Sequence, residues 1–204
     1  MKTKILFVVN NLDFFISHRI NIANEAIQKG YEVHLAIESD KKFIQNKLIQ
    51  NIIIHKYFII RSSNNPLYEA KTFISLYNLI KKVKPNIIHL ISLKPILYGG
   101  IISRIQKVPF QVISITGMGY ILININKFKI RILKKLVFQF LKFSLGHLNQ
   151  RIIFQNKNDM NEILNIKKIN KKNIIIIPGS GVNLRLFNYY PENSNNNLIV
   201  MVSR

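Results

Sequence analysis

The chain has 204 residues, 48% of them hydrophobic, which is enough for one sizeable core and slightly long for a single average domain. Thirty Lys and Arg against nine Asp and Glu give a formal charge of +21, favouring a partner of negative charge, although Ile, Asn and Lys dominate throughout as under an AT-rich coding bias. The absence of cysteine excludes thiolate catalysis, sulfur-ligated zinc and any disulfide framework.

The opening run MKTKILFVVN has too short an apolar core for a secretory signal and passes directly into Asn10 and Asn11, so it reads as a strand over 4–10. A helix over 17–29 follows, with Ser17 as N-cap and Gly30 closing it in a left-handed turn, and then a strand over 31–38. The alternation continues with helix 41–50, strand 52–58, a turn at 62–66, helix 67–83 and strand 86–92. Next come helix 95–106 with Pro95 at its first position, strand 110–116, helix 128–148, strand 151–155, helix 157–165 and strand 174–178. Seven strands, each followed by a helix or loop, predict an α/β fold with a doubly wound parallel, Rossmann-like sheet. The longest uncharged stretch, 108–126, is interrupted by Pro109, Gln111, Gly117, Gly119 and Asn124 and does not read as a membrane span. An Asn-rich connector over 188–197 separates a domain over 1–187 from a last apolar run in 198–204, which reads as the first strand of another domain.

In open parallel sheets ligands bind beyond the carboxyl ends of the strands, so the loops after the strands carry the candidate chemistry. The first, Asn10 to Arg19, has no Gly and therefore no dinucleotide fingerprint. It offers His18 and Arg19 near a helix start, suited to an anion or to sugar hydroxyls, or else two solvated residues on a capped helix. After the fourth strand, Lys94 could neutralise a phosphate or stand in solvent. Gly99 and Gly100, inside the next helix, cost roughly 1 kcal/mol each relative to Ala, so close packing against the sheet or against a ligand must offset them. Gly117 and Gly119 form a Gly-x-Gly turn after the fifth strand, and Gly179 and Gly181 a bend after the seventh. On the helix over 128–148, Lys127, Arg131, Lys135 and Lys142 fall on one stripe, with Lys134 beside it and Phe138 and Leu145 interleaved. Leu133, Leu136, Val137, Phe140 and Ser144 form the face expected to pack on the sheet. Cations mixed with outward apolar side chains suit a segment lying on an anionic membrane surface. There is no facing carboxylate pair, no metal-ligand spacing and no Ser-His-Asp order, so metal-dependent and hydrolytic chemistry has little support.

In order and spacing, the segments NNLDFFISHRINIANEAIQKGYEVHLAI, KPNIIHLISLKPILYGGIISRIQKVPFQVISITGMGY and IIIIPGSGVNLRLF resemble the N-terminal domain of family 4 glycosyltransferases, which have the two-domain GT-B fold. The similarity extends over nearly the whole chain and is closest to the subgroup that extends undecaprenyl-diphosphate glycans from UDP-sugars. It implies that the N-terminal half binds the acceptor, with His18, Arg19, Lys94, Tyr98, Gly117 and Gly119 around an acceptor diphosphate or sugar. It also implies that Gly181 and Arg204 approach the donor diphosphate, Arg204 ending the first strand of a second Rossmann-like domain that carries the family's glutamate pair. Two departures stand out. Thr116 and Gly117 occupy a turn where many relatives have His, and Asn183 replaces the Asp of a Gly-Val-Asp pattern.

The resemblance implies a retaining transfer from a nucleotide-sugar substrate, with no metal and no cofactor, to a lipid-linked acceptor in surface glycan biosynthesis. The enzyme would then be cytoplasmic and peripheral at the inner face of the membrane. A stand-alone acceptor-binding or anchoring subunit is the alternative of a different class. Nucleic acid is not an expected partner, because charge alone favours it and the sequence shows no aromatic stacking platform.

Overall fold

The computed structural model describes residues 2–38, 49–63, 65–117 and 128–181, with 184, 189, 191 and 201 individually, and over 128–134 only the backbone. The helix expected over 41–50, the connector over 188–197 and the run over 198–204 lie almost entirely outside these residues, as do Gly119, Lys127 and Arg204.

Seven strands form one sheet: β1 (Lys4–Val8), β2 (Glu32–Ile37), β3 (Ile53–Lys56), β4 (Ile87–Ile91), β5 (Phe110–Ile115), β6 (Gln150–Phe154) and β7 (Ile174–Ile176). Every pairing is parallel and the order is β3-β2-β1-β4-β5-β6-β7, so the sheet is the doubly wound one the sequence predicts. The helices are α1 (Leu12–His18), α2 (Ile20–Gln28), α3 (Pro66–Val83), α4 (Leu93–Ile105), α5 (Phe128–Ser144) and α6 (Lys157–Ile166).

The chain moves outward from β1 to β3, returns past β1 to β4 and continues outward on the other side. Right-handed crossovers then send the early and late connections to opposite faces. The alternation of side chains along each strand matches this. Leu6, Val8, Leu90, Ile113 and Phe154 share one core with α3, α4, α5 and α6, while Ile5, Phe7, Leu35 and Ile91 share the other with α1 and α2. In the second core Phe7 and Phe15 meet edge to face at 5.6 Å, and full burial of each ring contributes about 1.5–3 kcal/mol. α1 and α2 do not extend over the outer strands. On that face Val112 and Ile153 are only half-buried and Ile175 is exposed.

Two predicted helix starts need correction. The first helix begins at Leu12, capped by Asn11, whose side chain accepts from Phe14 N at 2.9 Å. Ser17 is no N-cap: it sits in the last turn of α1, where its Oγ bonds back to Asp13 O at 2.7 Å, and the helix breaks at Arg19 before α2. Asn11 and Ser17 are both good caps, and the apolar spacing of Leu12 and Phe15 against Phe7 decides for the earlier one. α4 starts two residues before Pro95, at Leu93, with Ser92 turning the chain at φ 75°. That positive φ strains a residue with a Cβ.

The packing face of α5 is also shifted from the one expected. Leu141, Ser144 and Leu145 are buried, and Val137 and Phe138 are half-buried. Leu136 and Phe140, expected inside, are 50% and 49% exposed, and Phe143 is exposed beside them. The helix carries Leu, Val or Phe on nearly every side, so apolar periodicity does not fix its phase. The contact with α4 does. A Cβ added at Gly100 would lie 2.6 Å from Ser144 Cβ and 3.0 Å from its Cα, and one added at Gly99 would collide with the Leu90 side chain. Close packing therefore accounts for the two helical glycines.

A buried polar network reinforces the same seam. Ser144 Oγ donates to Leu97 O at 2.8 Å, Gln111 Nε2 to Ser144 O at 3.0 Å and Gln150 Nε2 to Leu145 O at 2.7 Å, while Ser103 donates to Gln111 Oε1. Gly100→Ala is expected to destabilise by about 1–3 kcal/mol, because overpacking against backbone outweighs the roughly 1 kcal/mol gain in helix propensity. Urea unfolding checks this, and a more stable variant would contradict the α4–α5 contact.

Candidate functional site

At the carboxyl edge of the sheet a cavity of about 780 Å³ opens between the α1–α2 junction, the ends of β5 and β6 and the turn after β7. Its polar wall includes His18, Arg19, Ser114, Gln155 and Ser180. Arg19 reaches it because the helix breaks there: Arg19 N still bonds Phe15 O at 2.8 Å, and its side chain turns back under the junction. Its Nη1 donates to His18 O at 3.0 Å and to Ser180 Oγ at 2.8 Å, tying the first loop to a turn 161 residues away. His18 stacks on Phe14 at 4.5 Å, and its Nδ1 lies 2.6 Å from Ser17 Oγ. The expected sites His18, Arg19 and Gly181 thus share one cavity.

Behind this wall lies His89, on β4. It is buried, with Nε2 2.8 Å from Ser114 Oγ and its ring 5.2 Å from that of Phe7. Burial, assisted by the nearby Arg19 charge, pushes the His89 imidazole down to about 3, so it is neutral at physiological pH. Burial also pulls the Arg19 guanidinium below its usual value. At the end of β1, on the same edge, the buried Asn10 Oδ1 has no partner among the described residues. Neither His89 nor Ser114 stands out in the sequence: His89 is a single polar residue in an apolar strand, and Ser114 shares β5 with Gln111. Cross-strand register brings them together, since His89 pairs with Val112, two residues before Ser114.

Lys94 and Tyr98 stand elsewhere. Lys94 Nζ spends its three protons on Ile60 O, Ser63 O and Glu69 Oε1, each at 2.7 Å, and Tyr98 donates to Glu69 Oε2 at 2.6 Å. Burial and the Glu69 hydrogen bond raise the Tyr98 pKa, so it remains a donor. This cluster clamps the loop after β3 onto α3 and α4, and neither residue lines the cavity. Lys94 is neither solvated nor free to take a phosphate without releasing a carbonyl. Gly117 follows β5 at φ 138° and is likewise outside the cavity lining. Among the described residues no group of three His, Asp or Glu could hold a metal ion, and no helix is long and apolar enough to cross a membrane.

A seven-stranded parallel sheet of this order, open at its carboxyl edge, is one Rossmann-like half of the GT-B glycosyltransferase fold, as solved structures show. Sucrose-phosphate synthase from Thermosynechococcus elongatus superposes with a TM-score of 0.62 at 12% identity, over 94% of this chain and 51% of that one. A glycosyltransferase from Rickettsia africae gives 0.57 at 19% identity, over 92% and 45%. Anabaena HepE in complex with UDP-glucose gives 0.56 at 14% identity, over 92% and 46%. The chain thus spans about half the length of these proteins. The sequence matches the family described as Glycosyl transferase 4-like over residues 4–156, and the chain belongs to that family. No curated protein sequence matches it.

Acid stability reports on the site. An unfolded His takes a proton near pH 6.5 and His89 in the fold does not until about pH 3, so stability falls as pH is lowered through that window. The slope from this group is about 1.4 kcal/mol per pH unit. His89→Gln, which keeps a nitrogen near Ser114, is expected to flatten the slope by one proton. Equal slopes in urea titrations from pH 7 to 4 would contradict a neutral buried imidazole.

Proposed function

We propose that this chain is the acceptor-binding half of a retaining glycosyltransferase that moves a sugar from a UDP-sugar to a lipid-linked glycan at the cytoplasmic face of a membrane. The observation that carries this reading is the cavity at the carboxyl edge of the sheet, with a buried cation and hydroxyl and amide groups on its wall and, among the described residues, no acid in its lining. Such a wall suits a ligand that brings its own negative charge along with hydroxyls, as a sugar diphosphate does. HepE, of the same fold, has been solved in complex with UDP-glucose and with UDP and glucose, which supports a nucleotide-sugar as donor. His18, Arg19 and Gly181 surround the ligand in this reading, and Lys94 and Tyr98 hold a neighbouring loop in place.

The outward face of α5 supports a membrane-borne acceptor. Lys135 and Lys142 are exposed beside Leu136, Phe140 and Phe143, and Arg104 lies 4.0 Å over the Phe143 ring. Cations flanking half-exposed apolar side chains are the makings of an interfacial helix. Arg131 and Lys134 belong to the same helix, and Phe138 takes less part than the sequence suggests because it is half-buried.

Two measurements test the reading. Protein purified from source cells should transfer labelled sugar from a UDP-sugar to undecaprenyl-diphosphate glycans, while the 204-residue chain alone should not. Failure of the source protein with every UDP-sugar would sink the assignment. In co-sedimentation with phosphatidylglycerol vesicles, Lys135→Glu combined with Phe140→Ser and Phe143→Ser is expected to weaken binding about tenfold or more, since each Lys near an anionic surface contributes about 1 kcal/mol. Unchanged binding would remove the membrane contact.

A further inference from the structure

Arg19 is a buried cation that no acid among the described residues answers. The residue is only 6% exposed, and it takes part in none of the ion pairs among the described residues. Among the described residues its two hydrogen bonds go to neutral acceptors, the His18 carbonyl and the Ser180 hydroxyl, both through Nη1, and Nε has no partner. Arginine does not discharge by losing a proton, and a buried charge left unpaired is strongly destabilising. The remedy within the protein would be a carboxylate, and the cavity lining offers none among the described residues. His89, on the inner side, is neutral and already engaged with Ser114.

We propose that Arg19 and Ser180 form an oxyanion subsite for a phosphoryl group of the incoming ligand, whose charge replaces the acid that the protein omits. This rests on the reading of the cavity as a sugar-phosphate site and narrows it to one contact. The guanidinium already reaches the cavity wall, since Nη1 meets Ser180, and its Nε is buried without a partner among the described residues, a donor that an oxyanion entering beside Ser180 would satisfy. Ser180 Oγ accepts from Arg19, which leaves the hydroxyl proton to donate to a further ligand oxygen. A tetrahedral phosphoryl group can meet both donors because its oxygens do not share one plane, whereas a planar carboxylate spends both oxygens on the guanidinium edge. Ser180 lies between Gly179 and Gly181, and a Cβ added at either would meet nothing within 4 Å, so the ligand has open space beside it.

The test follows the Arg19 Nε–Hε resonance of the ¹⁵N-labelled 204-residue chain during titration with inorganic pyrophosphate, UDP and acetate in turn. A saturable shift with pyrophosphate and little with acetate is expected. A shift with UDP as well assigns the subsite to the donor phosphates, and one with pyrophosphate alone to the acceptor diphosphate. The subsite is overturned if Arg19 stays unmoved while surface lysines titrate, or if acetate moves it equally.

Thermal unfolding gives an independent sign. In the wild type, pyrophosphate at about a hundredfold excess over Kd should raise Tm by about 5–10 °C. Arg19→Met should lose that rise, and its Tm without ligand should equal or exceed the wild type because an unanswered charge has gone. A purely structural Arg19 predicts the reverse, a lower Tm with the pyrophosphate rise intact. Sugar transfer by the source protein with the Arg19 resonance unmoved would retire the subsite and leave the function standing. A moved resonance without any transfer would do the opposite.

Discussion

The structure depends on the pairing of β1 with β4. Ile5 to Val8 hydrogen-bond on one side to β2 and on the other to a strand some eighty residues later, so β1 is where the winding reverses. From that reversal follow the two cores, one under α1 and α2 and the other under α3 to α6. It also explains why α1 and α2, although short, stand beside the site. Their connection turns over one half of the sheet, and the break at Arg19 aims a side chain across β4 toward the turn after β7. Site and fold are therefore linked, the cavity lying beyond the carboxyl ends of the strands, where open parallel sheets bind ligands.

Much of this was legible in the sequence because parallel strands buried on both faces appear as unbroken apolar runs. The runs around Leu6, Leu35, Leu90 and Ile113 could be read without any partner in view. What was misread involved competition between equally good local signals. Asn11 and Ser17 both cap well, and only packing against Phe7 chooses between them. On α5 the sequence offered too many apolar residues, and a contact of two small residues, Gly100 and Ser144, set the phase.

The site was legible as a list of side chains and not as partnerships. Arg19 could be named from its loop, but its bond to Ser180 spans nearly the whole chain. The sequence leaves Lys94 to a phosphate or to solvent because its acceptors, two carbonyls and Glu69, lie 25 to 34 residues away in a loop and a helix whose approach the local pattern does not encode. His89 and Ser114 are ordinary strand residues until the register of β4 on β5 makes them neighbours.

The last strand has a colloidal consequence. β7 ends the sheet, and its Ile175 and Ile176, with Ile177 just beyond, are three consecutive exposed isoleucines beside a flank that pairs with no strand among the described residues. A short β-branched edge of this kind is a template for another copy of itself. Lys171 and Lys172 stand just ahead of it, on a chain of net charge +21, and act as electrostatic guards. Such guards weaken as salt is added, because the screening length shrinks from about 10 Å at 0.1 M to about 3 Å at 1 M. Molecules that repel one another in dilute buffer are then free to meet along β7, and ionic strength governs how long the protein remains dispersed.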